Sequence, residues 1–250
     1  MANDKSSEKL WNRRERFTQT PDRYREVASI KAVNTLIEKS AVVWRSHRQS
    51  INYADLGCGE CKGTQFFANF LSEKVGLPIK TTGVDASPKC ASACQSHNIE
   101  FHNVELGSDP VDLKDYQVLT MFETIEHVFN TDRLIESARD SISSDGLFFV
   151  TTLNVVCLKN RFLVPLGIHP FNTEVSTKKL SYGYKFKSLK NKMDTWKPAG
   201  HIRPFTLFSL TELLEDNGFR VIQSYGLENW GSLKFLEKVA KNMCTGVFVV

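Results

Sequence analysis

Hydrophobic positions along the chain change period repeatedly, and the changes outline its elements. Val27, Ile30, Val33 and Ile37 recur at helical spacing and predict one helix over 22–47. Tyr53 and Leu56 flank a short strand, and Phe66, Phe67, Phe70 and Leu71 form one face of the helix after it. The alternation continues with a strand over 79–84, a helix over 88–97, a strand over 99–104 and a strongly apolar strand over 116–122. A helix capped at Asn130 or Thr131 carries Leu134, Ile135, Ala138 and Ile142 on one side, and 147–151 is another buried strand. Strands alternating with helices imply right-handed crossovers and a mainly parallel sheet covered on both faces. The expected fold is a doubly wound, Rossmann-like α/β domain.

The rhythm stops at 154–203, which holds Pro165, Pro170 and Pro198 and shows no clean period. So long a stretch predicts an insertion with some structure of its own. Order returns at Thr206, a helix N-cap ahead of Leu207, Leu210, Leu213 and Leu214, and Asn217-Gly218 is a stop signal. Strands over 219–225 and 247–250 would complete the sheet, the last of them antiparallel.

Charge adds a second pattern. Net charge is only +4 over 250 residues, yet 178–203 holds eight basic side chains and one acidic, while 51–177 holds nine and sixteen. The acidic middle excludes a general nucleic-acid coat and leaves one local anion-facing stretch. No apolar run reaches the roughly 18 residues of a membrane span. The polar opening Met1-Ala2-Asn3-Asp4-Lys5 does not read as an export signal, so six cysteines point to a reducing, cytoplasmic setting.

The most informative segment is Asp55-Leu56-Gly57-Cys58-Gly59-Glu60-Cys61-Lys62-Gly63, between a strand and a helix. Glycines there let the backbone approach a ligand, and the helix start offers free N–H groups. The next strand ends in Gly83-Val84-Asp85, a carboxylate placed to accept ribose hydroxyls. Lys62 stands where the dinucleotide fingerprint needs its third glycine, which counts against NAD and FAD.

Asp55-Leu56-Gly57-Cys58-Gly59 with Gly83-Val84-Asp85 resembles motif I and the following acidic motif of the class I S-adenosylmethionine-dependent methyltransferases. The likeness continues in Glu123-Thr124-Ile125-Glu126-His127-Val128 and Asp145-Gly146-Leu147, although the family usually has glycine where Cys61 stands. It implies S-adenosyl-L-methionine as cofactor, with Asp55, Gly57, Gly59, Asp85, Ala86, Glu105 and Phe122 around it. Gly57 and Gly59 would face the methionine part, Asp85 the ribose, and Ala86 and Glu105 the adenine side. The expected organisation is an N-terminal helical segment, 1–49, covering the cofactor cleft, ahead of a methyltransferase domain over 50–250. Within it, 154–203 is a basic insertion on the acceptor side.

The Glu-x-x-Glu-His pattern resembles quinone-precursor O-methyltransferases and small-RNA 2′-O-methyltransferases, and the stretch through Gly200-His201-Ile202-Arg203-Pro204-Phe205 resembles bacterial enzymes of glycan or small-metabolite modification. A hydroxyl of a glycan or small metabolite, anionic or carried on an anion, is therefore the expected acceptor. Metal-assisted RNA 2′-O-methylation and a non-catalytic cofactor-binding module are the alternatives. If 123–127 turns helically, Glu123 faces Glu126 and His127, a set that could be an ion-paired turn, a base or a cation site. No metal is expected at the cysteines, because Cys58 and Cys61 lie in a loop already committed to the cofactor.

An acceptor hydroxyl must lose its proton, a task for imidazole. His97 and His102 fall toward the second helix and third strand, His47 precedes the first strand and His169 lies in the insertion. His201, beside Arg203, and His127 remain as candidate catalytic residues at the strand-tip edge.

Overall fold

The computed structural model describes residues 21–228 and 231–250, so the first 20 residues of the 1–49 segment lie outside the described part. The segment 22–47 forms two helices, α1 (Pro21–Ser29) and α2 (Lys31–His47). The expected single helix breaks at Ile30, whose backbone is extended. Asn34 compensates the break, its Nδ2 donating to the carbonyls of Ala28 and Ile30.

Next come β1 (Ile51–Leu56), α3 (Lys62–Val75), β2 (Ile79–Asp85), α4 (Cys90–Ser96), β3 (Glu100–Asn103) and β4 (Tyr116–Phe122). A 3-10 turn at Ile125–His127 precedes α5 (Thr131–Ser141) and the long β5 (Ile142–Leu153). The insertion holds α6 (Leu158–Leu163) and α7 (Lys187–Asp194), and α8 (Leu207–Asp216), β6 (Ser224–Leu227), α9 (Leu236–Val239) and β7 (Gly246–Val249) follow. The seven strands run in the order β3-β2-β1-β4-β5-β7-β6. β1 pairs in parallel with β2 and β4, and β2 with β3; β7 is antiparallel to β5 and β6. This is the expected Rossmann-like sheet with its antiparallel last strand. The sixth strand starts later than its apolar pattern predicts: Phe219 N still closes the end of α8 on Leu214 O, and the backbone of Ile222 and Gln223 meets Val250 ahead of the regular ladder.

Two compact units emerge: the described residues up to Phe122 with Arg133–Phe149, and Glu123–Asp132 with the described residues from Val150 onward. In the first unit, Trp44, Tyr53, Phe67, Phe122 and Phe149 are fully enclosed, and Phe67 meets Phe122 and Phe149 edge-on. Parallel strands buried on both faces account for this unbroken apolar character. In the second unit the insertion builds a small apolar centre from Ile168, Tyr184 and Met193, flanked by Leu163, Phe171, Leu180 and Leu189. Thr206 caps α8 reciprocally with Ser209. Among the described residues no helix is long and apolar enough to cross a membrane.

Candidate functional site

In the first unit, parallel pairing sets Asp55 opposite Gly83 and Leu56 opposite Val84, so β1 and β2 end side by side. The chain leaving β1 turns through Gly57 and Gly59, with φ of 89° and 50°. A side chain at either would meet the left-handed penalty that glycine escapes. Gly57 N and Cys58 N both donate to Val84 O, at 2.7 and 3.1 Å. The Asp85 carboxylate completes the turn: Oδ2 accepts from Gly59 N at 3.0 Å and Oδ1 from Ser87 N at 2.8 Å. Glycine loop and acidic strand tip are thus one hydrogen-bonded unit. Asn103, at the end of β3, donates to the carbonyls of Asp85 and Ala86. Ala86 is half-buried, as is Glu105, whose carbonyl closes a turn with Ser108 N and Asp109 N.

Beneath the loop, Asp55 is fully buried and accepts three hydroxyls: Thr64 at 2.5 Å, Thr120 at 2.6 Å and Tyr24 at 2.7 Å. Burial pushes its carboxyl above the ordinary range, and the three donors pull it back. Tyr24, on α1, is a residue the sequence reading missed. Its ring lies 4.7 Å from that of Phe122, and a Cβ on Gly63 would run into it. The signal was present, since Tyr24 falls three residues before Val27 on the same helical stripe.

The cysteines differ from expectation. Cys58, Cys61 and Cys94 are buried, and Cys61 is joined to Cys94 by a disulfide. Spacing gave no pairing, because it is β2 and α4 that carry Cys94 back to the loop.

In the second unit, His127 and His201 come together, their ring centroids 4.9 Å apart. The linkage is built from backbone. Glu126 O accepts from Ile202 N and Arg203 N at 2.9 and 3.0 Å, and His127 Nδ1 lies 3.1 Å from Gly200 O. Glu174 was missed as well. Its two oxygens accept from Ala199 N and Gly200 N, each at 2.7 Å, and Oε1 stands 3.5 Å from His201 Nδ1. No local motif marks it, for it sits 27 positions before its histidine.

The helical turn that would face Glu123 to Glu126 and His127 is not formed. Glu123 has φ of 52°, and only Ile125–His127 turns, as a 3-10 helix. Its Oε1 accepts from Thr151 Oγ1 at 3.0 Å. Glu126 is buried, with Oε2 accepting from Thr152 Oγ1 at 2.9 Å. Glu126, His127 and His201 each bring one potential ligand atom within 4.8 Å of the others. Arg203 is held by Phe129, donating to its carbonyl and lying over its ring at 5.3 Å. The lysines at 185, 187 and 190 are exposed.

A family model described as a methyltransferase domain matches residues 22–224. A curated protein, the ubiquinone biosynthesis O-methyltransferase of Glaesserella parasuis serovar 5 (strain SH0165), is 26% identical over 113 residues, 40% of this chain and 44% of that protein. The match spans less than half the length of that relative. Among solved structures, an S-adenosylmethionine-dependent methyltransferase of Clostridium acetobutylicum ATCC 824 is similar with a TM-score of 0.50 and 12% identity, covering 89% of this chain and 92% of the other. A Listeria monocytogenes structure assigned to the same class gives 0.50 and 12%, covering 86% and 96%. At these identities the structures speak for the fold.

Proposed function

The chain belongs to the methyltransferase-domain family, whose cofactor is S-adenosylmethionine, and from that premise we propose that it methylates a hydroxyl of an anionic glycan or small metabolite. The observation that carries the cofactor reading is the bond from Gly59 N to the Asp85 carboxylate at the tips of adjacent parallel strands. The residues fit the group: Gly57 and Gly59, both with positive φ, carry no side chain where the loop leaves β1, and a carboxylate stands at the tip of β2 for a ribose diol. When bound, S-adenosylmethionine supplies an electrophilic methyl on a sulfonium.

The protein's part is positioning and proton removal. In this reading Gly57 and Gly59 admit the methionine portion, Asp85 holds the ribose, and Ala86 and Glu105 border the adenine. Asp55 and Phe122 act from beneath, fixing the loop and Tyr24. His201, oriented by Glu174, takes the acceptor proton, with His127 beside it. The exposed lysines of the insertion attract an acceptor that carries negative charge.

A second reading, cation-assisted transfer as in RNA 2′-O-methylation, is favoured by one observation, the close approach of Glu126, His127 and His201. Two imidazoles and a carboxylate suit a divalent transition ion.

Calorimetry with S-adenosylhomocysteine tests the shared premise, with binding expected in the wild type and lost in Asp85→Ala. Turnover of His201→Asn and His127→Asn, with and without Mn²⁺, separates the two readings. Loss of turnover in metal-free wild type points to the cation, and metal-independent loss in the variants points to a base. Full turnover in both variants overturns both roles.

A further inference from the structure

One cluster beside the glycine loop has no part in the function proposed above. Cys58, Cys61 and Cys94 are fully enclosed, and their sulfurs lie within 4.8 Å of one another. Ile99 completes the buried group, with Phe101 packed against it. β2 yields space for it: a Cβ on Gly83 would come within 2.8 Å of Cys58 Sγ and 3.2 Å of Cys61 Sγ. The Cys61–Cys94 bond spans from the turn that starts α3 to the end of α4, across a Cα separation of 5.3 Å. Cys58 Sγ stands 3.8 Å from Cys94 Sγ.

Cys61 also occupies a backbone state that cysteine seldom takes, with φ of 60°. Such a residue persists where its surroundings over-determine it. Here a covalent tie to α4 does so, two residues beyond the Gly59 N–H that Asp85 accepts. A loop already held in its binding form loses less freedom on meeting a ligand.

We propose that Cys61–Cys94 is a thiol–disulfide site that sets cofactor affinity: closed, it holds the glycine loop ready; opened by a dithiol reductant, it weakens binding. The inference rests on the cofactor reading. In closing, the two thiols release two protons and two electrons, and a disulfide of the glutathione class accepts them, leaving as two thiols. In opening, a dithiol gives its two hydrogens to Cys61 and Cys94 and departs as a cyclic disulfide. Cys58 provides a redox-neutral route: its thiolate attacks Cys94 Sγ, the Cys61–Cys94 bond breaks, and Cys61 leaves with the electron pair and takes up the proton. Burial and the charges of Asp55 and Asp85 push the Cys58 thiol up, which keeps it protonated and this exchange slow. Because coupling is reciprocal, cofactor must favour the closed bond by the same factor that the bond favours cofactor.

The test uses the full chain treated with oxidised glutathione, then half of it reduced with dithiothreitol. Alkylation after denaturation is expected to label four thiols before reduction and all six after. Calorimetry with S-adenosylhomocysteine is expected to show affinity falling about fivefold or more on reduction. In Cys94→Ser the reductant should change nothing. Six labels before reduction, or equal wild-type affinity in both forms, overturns the proposal. Four labels with no binding in either form removes the cofactor reading instead, and the coupling with it. The wild-type comparison stands even if Cys94→Ser fails to fold.

Discussion

The glycine-loop side and the histidine side of this molecule are built by different means. The first gathers around one buried carboxylate, Asp55, whose three hydroxyl partners sit on α1, α3 and β4. Its loop is held through backbone, since the N–H groups of Gly57 and Gly59 donate to Val84 O and to the Asp85 carboxylate. The second is made of side chains, Glu126, His127, Glu174 and His201, brought together by carbonyl and amide contacts over as many as 77 positions. A site built from backbone tolerates little variation in shape. A site built from side chains on connecting segments can change its chemistry while the sheet stays as it is.

Removing the carboxylate at the centre of the first region should have the largest effect. Asp55→Ala strands buried hydroxyls and is expected to cost about 3–5 kcal/mol, read by urea unfolding. Asp55→Asn sharpens the point. Burial raises the folded-state pKa of Asp55, so its contribution is fully present below the unfolded value of about 3.9 and is lost as pH rises through the folded one. In the Asn variant that part of the decline should vanish from the pH–stability curve.

The second region should separate activity from binding. Glu174→Gln is expected to lower kcat about tenfold by disorienting His201, with S-adenosylhomocysteine affinity unchanged by calorimetry. A parallel loss of affinity would break the comparison, because the two regions would then share one function. The smallest effect is expected from reversing Lys185, Lys187 and Lys190 to glutamate. Acceptor KM should rise about threefold at low salt and return toward wild type as salt screens the charges, again with cofactor affinity unchanged.

The same contrast explains what could be read from the chain alone. The loop, Asp85 and the parallel strands were legible because short-range period and glycine placement fix them. Tyr24 escaped notice because its role depends on α1 folding back over Gly63, a contact between residues 39 positions apart. Glu174 and the Cys61–Cys94 pair were hidden for the same reason. His127 and His201 were named by eliminating other histidines, and their pairing became visible only through Gly200 O and Glu126 O. The pattern alone leaves open whether Glu123 starts a helical turn, and its left-handed backbone closes that possibility.

The insertion's small apolar centre has an evolutionary consequence. Ile168, Tyr184 and Met193, with Leu163, Phe171, Leu180 and Leu189, pack against one another. Lys185, Lys187 and Lys190 of the same segment are exposed and are not among these residues. Substitution at these exposed lysines is therefore expected to leave the apolar centre and the sheet untouched, so the charge of this face can change over evolution without a change of fold.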